Sequence, residues 1–255
     1  MPKVAPFFDI FFKGESYARQ AELIRECGFD CAETWRGIEA DKLKEMTASG
    51  LKLVSVLVNT VPDAALFPSV IASRDAFLER VDRVADNALA VGCKQAIVTS
   101  GNHVVHYSYQ TQRAILVETL AKAGEMLKSR GFSLNLEPLN SEVDHAGYLV
   151  DDPNDAVAIC KETGCSNINI LFDVYHMGIM RGNLTEFIRS NIGRIGHFHI
   201  AGIPGRHEVA RGETNYPFLM AEIDRLGYGG YVGLEYIPKL PGRESLEETK
   251  RYLGL

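Results

Sequence analysis

The chain has 255 residues, 46% of them hydrophobic and 24% charged, which excludes a disordered or fibrous polypeptide and suffices to bury one large core. Its 27 Lys and Arg against 33 Asp and Glu leave a formal net charge of −6, so bulk charge cannot neutralise a phosphate backbone and nucleic acid is not an expected partner. The five cysteines, Cys27, Cys31, Cys93, Cys160 and Cys165, form no C-x-x-C pair and read as reduced core side chains rather than a disulfide framework.

In chain order, the segment MPKVAPFFDIFFKGES carries Asp9 inside a short apolar run. It lacks the length of a spanning helix and the small-residue site of a cleaved signal, so a cytoplasmic location without membrane partners is expected. Eight strand-like runs follow one another: Val4–Phe12, Cys31–Trp35, Leu51–Asn59, Gln95–Gly101, Ser133–Asn140, Ile168–His176, Ile195–Gly202 and Tyr231–Pro238. All are rich in Val, Ile, Leu and Phe, as strands covered on both faces should be. Between them lie amphipathic stretches. Phe77, Val81, Val84, Ala88 and Leu89 share one helical face after the third run, and Leu116, Leu120, Ala123 and Leu127 share one after the fourth. Gly28, Gly50, Gly92, Gly131, Gly164 and Gly227 punctuate the ends of these helices, where a residue free to take positive φ is wanted. The closing ESLEETKRYL reads as a solvated final helix.

Eight strand-then-helix units in 255 residues average about 32 residues each, the size of a βα repeat. No Pro/Ser-rich linker divides them, so one domain over 1–255 is expected, an α/β protein with a (β/α)8 TIM barrel. A doubly wound open sheet would use similar units but usually carries a glycine-rich phosphate turn after its first strand, and FFDIFFKGES has a single Gly.

In a TIM barrel the active site lies at the C-terminal ends of the strands. Glu137, Asp173, His199 and Glu235 each stand late in one of the last four runs, spaced by 36, 26 and 36 residues. Three carboxylates in apolar strands are costly to bury without compensation, and a shared cation supplies it. The donor set of three carboxylates and an imidazole suits Mn²⁺, Mg²⁺ or Co²⁺.

The segments LEPLN (136–140), ILFDVYHM (170–177), IGHFHIAGIPGRHE (195–208), GETNYPFL (212–219) and GYGGYVGLEYIP (227–238) resemble the hydroxypyruvate isomerase branch of the xylose-isomerase-like TIM barrels. That superfamily also contains ketose 3-epimerases and the endonuclease IV type of nuclease. The resemblance implies that Glu137, Asp173, His199 and Glu235 are metal ligands, with Glu137 and Glu235 also the proton-transferring pair. It implies a small hydroxy-carbonyl or sugar substrate that loses a proton from carbon to one glutamate and regains one from the other, substrate contacts from His176 and Arg206, and an oligomer, dimer or tetramer. His199 itself is the usual residue in the ketose 3-epimerase branch, where hydroxypyruvate isomerases often carry Gln, so 3-epimerisation stays open beside aldose–ketose isomerisation. Glu142 and Asp144 are imperfect matches to a further epimerase acid. Glu33, Trp35 and His103 are further candidates at the mouth: Glu33 for a substrate or ligand-supporting contact, Trp35 with Phe7 as an apolar wall, and His103 with His106 and Tyr107 in a covering loop. The nuclease reading is opposed by the charge and by a total of seven histidines.

Overall fold

The structure, a computed structural model, describes residues 1–255. Eight strands alternate with helices: β1 (Lys3–Pro6), β2 (Cys31–Glu33), β3 (Lys52–Leu57), β4 (Gln95–Thr99), β5 (Ser133–Glu137), β6 (Ile168–Asp173), β7 (Ile195–Ile200) and β8 (Tyr231–Leu234). The α-helices are α1 (Phe8–Phe11), α2 (Tyr17–Glu26), α3 (Ala40–Thr47), α4 (Arg74–Ala90), α5 (Tyr109–Lys128), α6 (Pro153–Glu162), α7 (Val174–Met180), α8 (Leu184–Asn191), α9 (Tyr216–Arg225) and α10 (Gly242–Leu253). All seven ladders are parallel, in the order β1-β8-β7-β6-β5-β4-β3-β2. A parallel bridge between Phe7 and Glu33 joins the two ends of that order. The expected (β/α)8 barrel is the architecture observed.

The core follows from the pattern that suggested it. Phe77, Val81, Val84 and Ala88 of α4 and Leu116, Leu120, Ala123 and Leu127 of α5 are each fully buried, and burying a Val, Leu or Phe side chain contributes about 1.5–3 kcal/mol. Leu89 is half-buried at the edge of the α4 stripe. Helix starts are set locally: Ser16, Ser108 and Asp152 accept from backbone N–H groups in the first turns of α2, α5 and α6. Gly50, after α3, has φ +82°, a conformation that costs any residue with a Cβ. The five cysteines are buried free thiols. No helix is long and apolar enough to cross a membrane.

Every strand is shorter than the run that predicts it, and in two runs the surplus residues are helical. Val4–Phe12 is strand only to Pro6; Phe8–Phe11 turn into α1, with Phe8, Ile10 and Phe11 buried. Ile168–His176 is strand only to Asp173, whose carboxylate Oδ1 accepts from the N–H groups of Tyr175 (2.8 Å) and His176 (3.4 Å) and so starts α7. A continuous apolar run signals burial in either element, and periodicity cannot separate the two over a few residues.

Candidate active site

Glu137 and Asp173 are the last residues of β5 and β6, His199 is one short of the end of β7, and Glu235 follows β8 directly. Strand register does the gathering: Asp173 pairs with His199, and His199 with Gly233. One donor atom from each of the four lies within 4.8 Å of the others. His199 Nδ1 stands 3.1 Å from Glu235 Oε2 and 3.6 Å from Glu137 Oε1. The Arg206 guanidinium, from the loop after β7, reaches Glu235 Oε2 at 2.5 Å and Asp173 Oδ2 at 3.7 Å. Arg206 holds φ +57°, a conformation uncommon for a residue with a side chain.

Burial dominates the electrostatics and the local charges then separate the carboxyls. It pushes Asp173 up to about 7, with Arg206 and His199 opposing, and raises Glu137 above the usual carboxylate range. Glu235 suffers the same burial but is held well below that range by Arg206 and His199. Burial works against the His199 cation, yet Glu235 and Glu33 more than offset it and raise the imidazole well above its ordinary value. His176 goes the other way, lowered by burial and by Arg206. Glu137 Oε1, Asp173 Oδ2 and His176 Nε2 are buried and have no hydrogen-bond partner in the protein. Such orphaned polar atoms, two carboxylate acceptors and an imidazole donor, are expensive unless something outside the chain satisfies them.

Above the cluster opens a cavity of about 200 Å³ lined by Trp35, Leu57, Val61, His145, Arg206, Glu137 and Glu235 among others. Trp35, 41% exposed, donates its indole N–H to Glu235 Oε1 at 2.8 Å. Phe7 packs beneath it, ring centroids 5.4 Å apart. His176 is fully buried in α7, its Nδ1 2.7 Å from the Asn140 amide nitrogen. Glu33 does not line the cavity; it lies fully buried beneath the cluster, against His197 and His199. His103, His106 and Tyr107 are exposed in the loop after β4 and His103 is not among the lining residues. Glu142 is exposed, and Asp144 accepts from the Asn140 amide at 2.8 Å.

Two histidines escaped the sequence reading. His145 sits in the loop after β5 with no motif around it. His197 had a usable signal, since it stands two residues before His199 and so faces the same side of β7.

The family described as the xylose isomerase-like TIM barrel matches residues 21–253. The chain belongs to that family. Among relatives of this xylose isomerase-like chain, a 2-oxo-tetronate isomerase of Cupriavidus necator is 31% identical over 262 residues, covering 100% of both chains. Hydroxypyruvate isomerase of Escherichia coli is 32% identical over 237 residues, covering 90% of this chain and 91% of the other. Both are isomerases, and so is this member of the family. A crystal structure named AP endonuclease, family 2, from Brucella melitensis superposes with a TM-score of 0.90 at 28% identity, over 99% of each chain.

Proposed function

We propose that the chain is a divalent-metal-dependent isomerase of small hydroxy-carbonyl acids, of the hydroxypyruvate or 2-oxo-tetronate kind, working through an enediolate. The observation that carries this reading is the convergence of Glu137, Asp173, His199 and Glu235 on one point at the floor of the cavity. Their chemistry suits a hard to borderline cation, and the orphaned oxygens of Glu137 and Asp173 are the acceptors such an ion satisfies. The names of the relatives support the substrate class, and a cavity of about 200 Å³ suits a short acid.

A bound divalent ion supplies stabilisation of negative charge on two adjacent substrate oxygens. The chain's residues then handle protons and position. Glu137 and Glu235 approach the substrate from strands five and eight, so one takes the proton from the carbinol carbon and the other returns one to the neighbouring carbonyl carbon, while a hydroxyl proton passes between the oxygens. Trp35 holds one oxygen of Glu235 through its indole N–H, and Arg206 holds the other. The Arg206 fork also provides donors for a substrate carboxylate or hydroxyl, and His176 Nε2 a buried site beside Asp173 for a substrate oxygen.

The test is turnover with Mn²⁺ of hydroxypyruvate, 2-oxo-tetronate and free ketohexoses, run in D₂O. The expected result is isomerisation of an oxo acid with deuterium entering carbon, and a loss of about 10²–10⁴-fold in kcat for Glu137→Gln. Turnover of ketohexoses alone would replace the reading with a ketose 3-epimerase, and full activity in Glu137→Gln would remove Glu137 from proton transfer.

A further inference from the structure

Beneath the cluster a line of polar side chains runs down the interior of the barrel. Asn135 on β5 donates its amide N–H to Gln95 Oε1 on β4 at 3.1 Å. Gln95 Nε2 lies 3.3 Å from His197 Nδ1, His197 Nε2 lies 2.9 Å from Glu33 Oε1, and Glu33 Oε2 lies 3.3 Å from His199 Nε2. Asn135, His197, His199 and Glu33 are all fully buried, in an interior that these barrels ordinarily fill with branched apolar residues.

The line has a direction. With its oxygen accepting from Asn135, Gln95 presents its NH₂ to His197, so His197 Nδ1 is the acceptor and His197 Nε2 carries the proton it gives to Glu33. The second Glu33 oxygen faces His199 Nε2 and accepts from it in the same way, so when a cation displaces the proton that Nδ1 shares with Glu235, the lone pair of His199 falls on Nδ1. That nitrogen is the one standing 3.1 Å from Glu235 and 3.6 Å from Glu137. Two glycines keep the line open: a Cβ on Gly233 would come within 2.2 Å of Glu33 Oε1 and 2.6 Å of His199 Cδ2, and one on Gly196 within 2.0 Å of Asn135 Oδ1. Glu33, His197 and His199 also form a three-donor group, but their nitrogen–oxygen pairs are already closed at hydrogen-bond distance, so the group is a support and not a second cation site.

We infer that Glu33 is a positioning residue: it fixes the tautomer and the ring orientation of His199, with His197, Gln95 and Asn135 locking Glu33 from below, so that His199 Nδ1 is presented to the cation. The inference rests on the metal-dependent reading above. Ligand imidazoles in metal proteins are ordinarily held by such a partner on the far nitrogen, and losing it weakens metal binding about 10–100-fold.

The experiment is Mn²⁺ titration by calorimetry of the wild type, Glu33→Gln and Asp173→Asn, joined to imidazole ¹H–¹⁵N spectra of the metal-free and Mg²⁺-loaded proteins. The Glu33→Gln substitution keeps the shape of the side chain but offers an NH₂ in place of one acceptor. Expected are loss of binding in Asp173→Asn, about 10–100-fold weaker binding in Glu33→Gln, and a His199 Nε2 proton held by Glu33 in the wild type with and without the ion, where the metal-free Glu33→Gln shifts protonation toward Nδ1. Wild-type affinity in Glu33→Gln, or weakened affinity with the tautomer unchanged, overturns the positioning role while Asp173→Asn leaves the metal reading standing. No Mn²⁺ binding by the wild type, or undiminished binding by Asp173→Asn, overturns the metal reading itself and this inference with it. Should Glu33→Gln fail to fold, the wild-type spectrum decides: a His199 proton on Nδ1 in the loaded protein overturns the assignment.

Discussion

Asp173 serves two structures with one carboxylate, since Oδ1 caps α7 while Oδ2 faces the cluster without a hydrogen-bond partner. Burial moves this carboxyl from an ordinary 3.8 up to about 7. Between those values the folded chain holds a proton that the unfolded chain has released, so the group's contribution to stability falls as pH rises through that window. A cation must displace the same proton, and the raised His199 adds to the competition at low pH. Mn²⁺ should therefore raise the melting temperature more at pH 8 than at pH 5, by differential scanning fluorimetry; equal shifts would contradict the assignment of Asp173 as a ligand. Trp35 offers a second test at this scale. Its indole N–H on Glu235 is a hydrogen bond to a charged group, worth roughly 1.5–3 kcal/mol. Trp35→Phe keeps the apolar wall and removes the donor, so kcat/KM for the oxo acid should fall about tenfold or more with little change in melting temperature.

Among the elements, all eight strands were legible as largely apolar runs between glycine-ended helices, because the barrel covers both faces of every strand and confines polar alternation to inward positions such as Asn135 and Glu137 on β5 and His197 and His199 on β7. The ends were not legible, since Phe8–Phe11 and Val174–His176 are as apolar as the strands they follow while their backbones have turned helical. The four-residue cluster was legible because a carboxylate late in an apolar run violates the pattern around it. Glu33 was visible for the same reason, but its place under the cluster was not, because only the barrel's closure brings β2 against β8 and β7. Packing between elements escaped the sequence as well, and Gly124 is the case in point. By propensity a glycine inside the 20-residue α5 is a defect that Ala would repair by about 1 kcal/mol. In the structure an added Cβ would lie 2.7 Å from Cys165 Sγ and 2.8 Å from its Cβ. Overpacking of that kind costs about 1–3 kcal/mol, so Gly124→Ala should lower stability in urea unfolding instead of raising it. A stabilised variant would show that α5 can move off Cys165 freely.

At the scale of the molecule, the site is a property of the closed barrel and of no smaller piece. Its four proposed ligands come from the ends of β5, β6, β7 and β8, and β8 in turn carries β1 through a parallel ladder. Glu33 reaches the cluster from β2, whose backbone bridge to the β1 end of the ring is at Phe7. Any opening of the ring between its ends therefore disturbs the support under His199, and any loss of β5 to β8 removes the donors. Binding at such a site must report on global unfolding. An ion that binds only the folded chain stabilises it by about 2.7 kcal/mol at a free concentration a hundred times its Kd, which in a chain of this size moves the midpoint by roughly 5–10 °C. Scanning calorimetry with Mn²⁺ should show one transition displaced as a whole by that amount, and none displaced in Asp173→Asn. A second transition that stays in place when the ion is added would mean that the β1–β4 half unfolds on its own, and that ring closure through Phe7 and Glu33 contributes little to cooperativity.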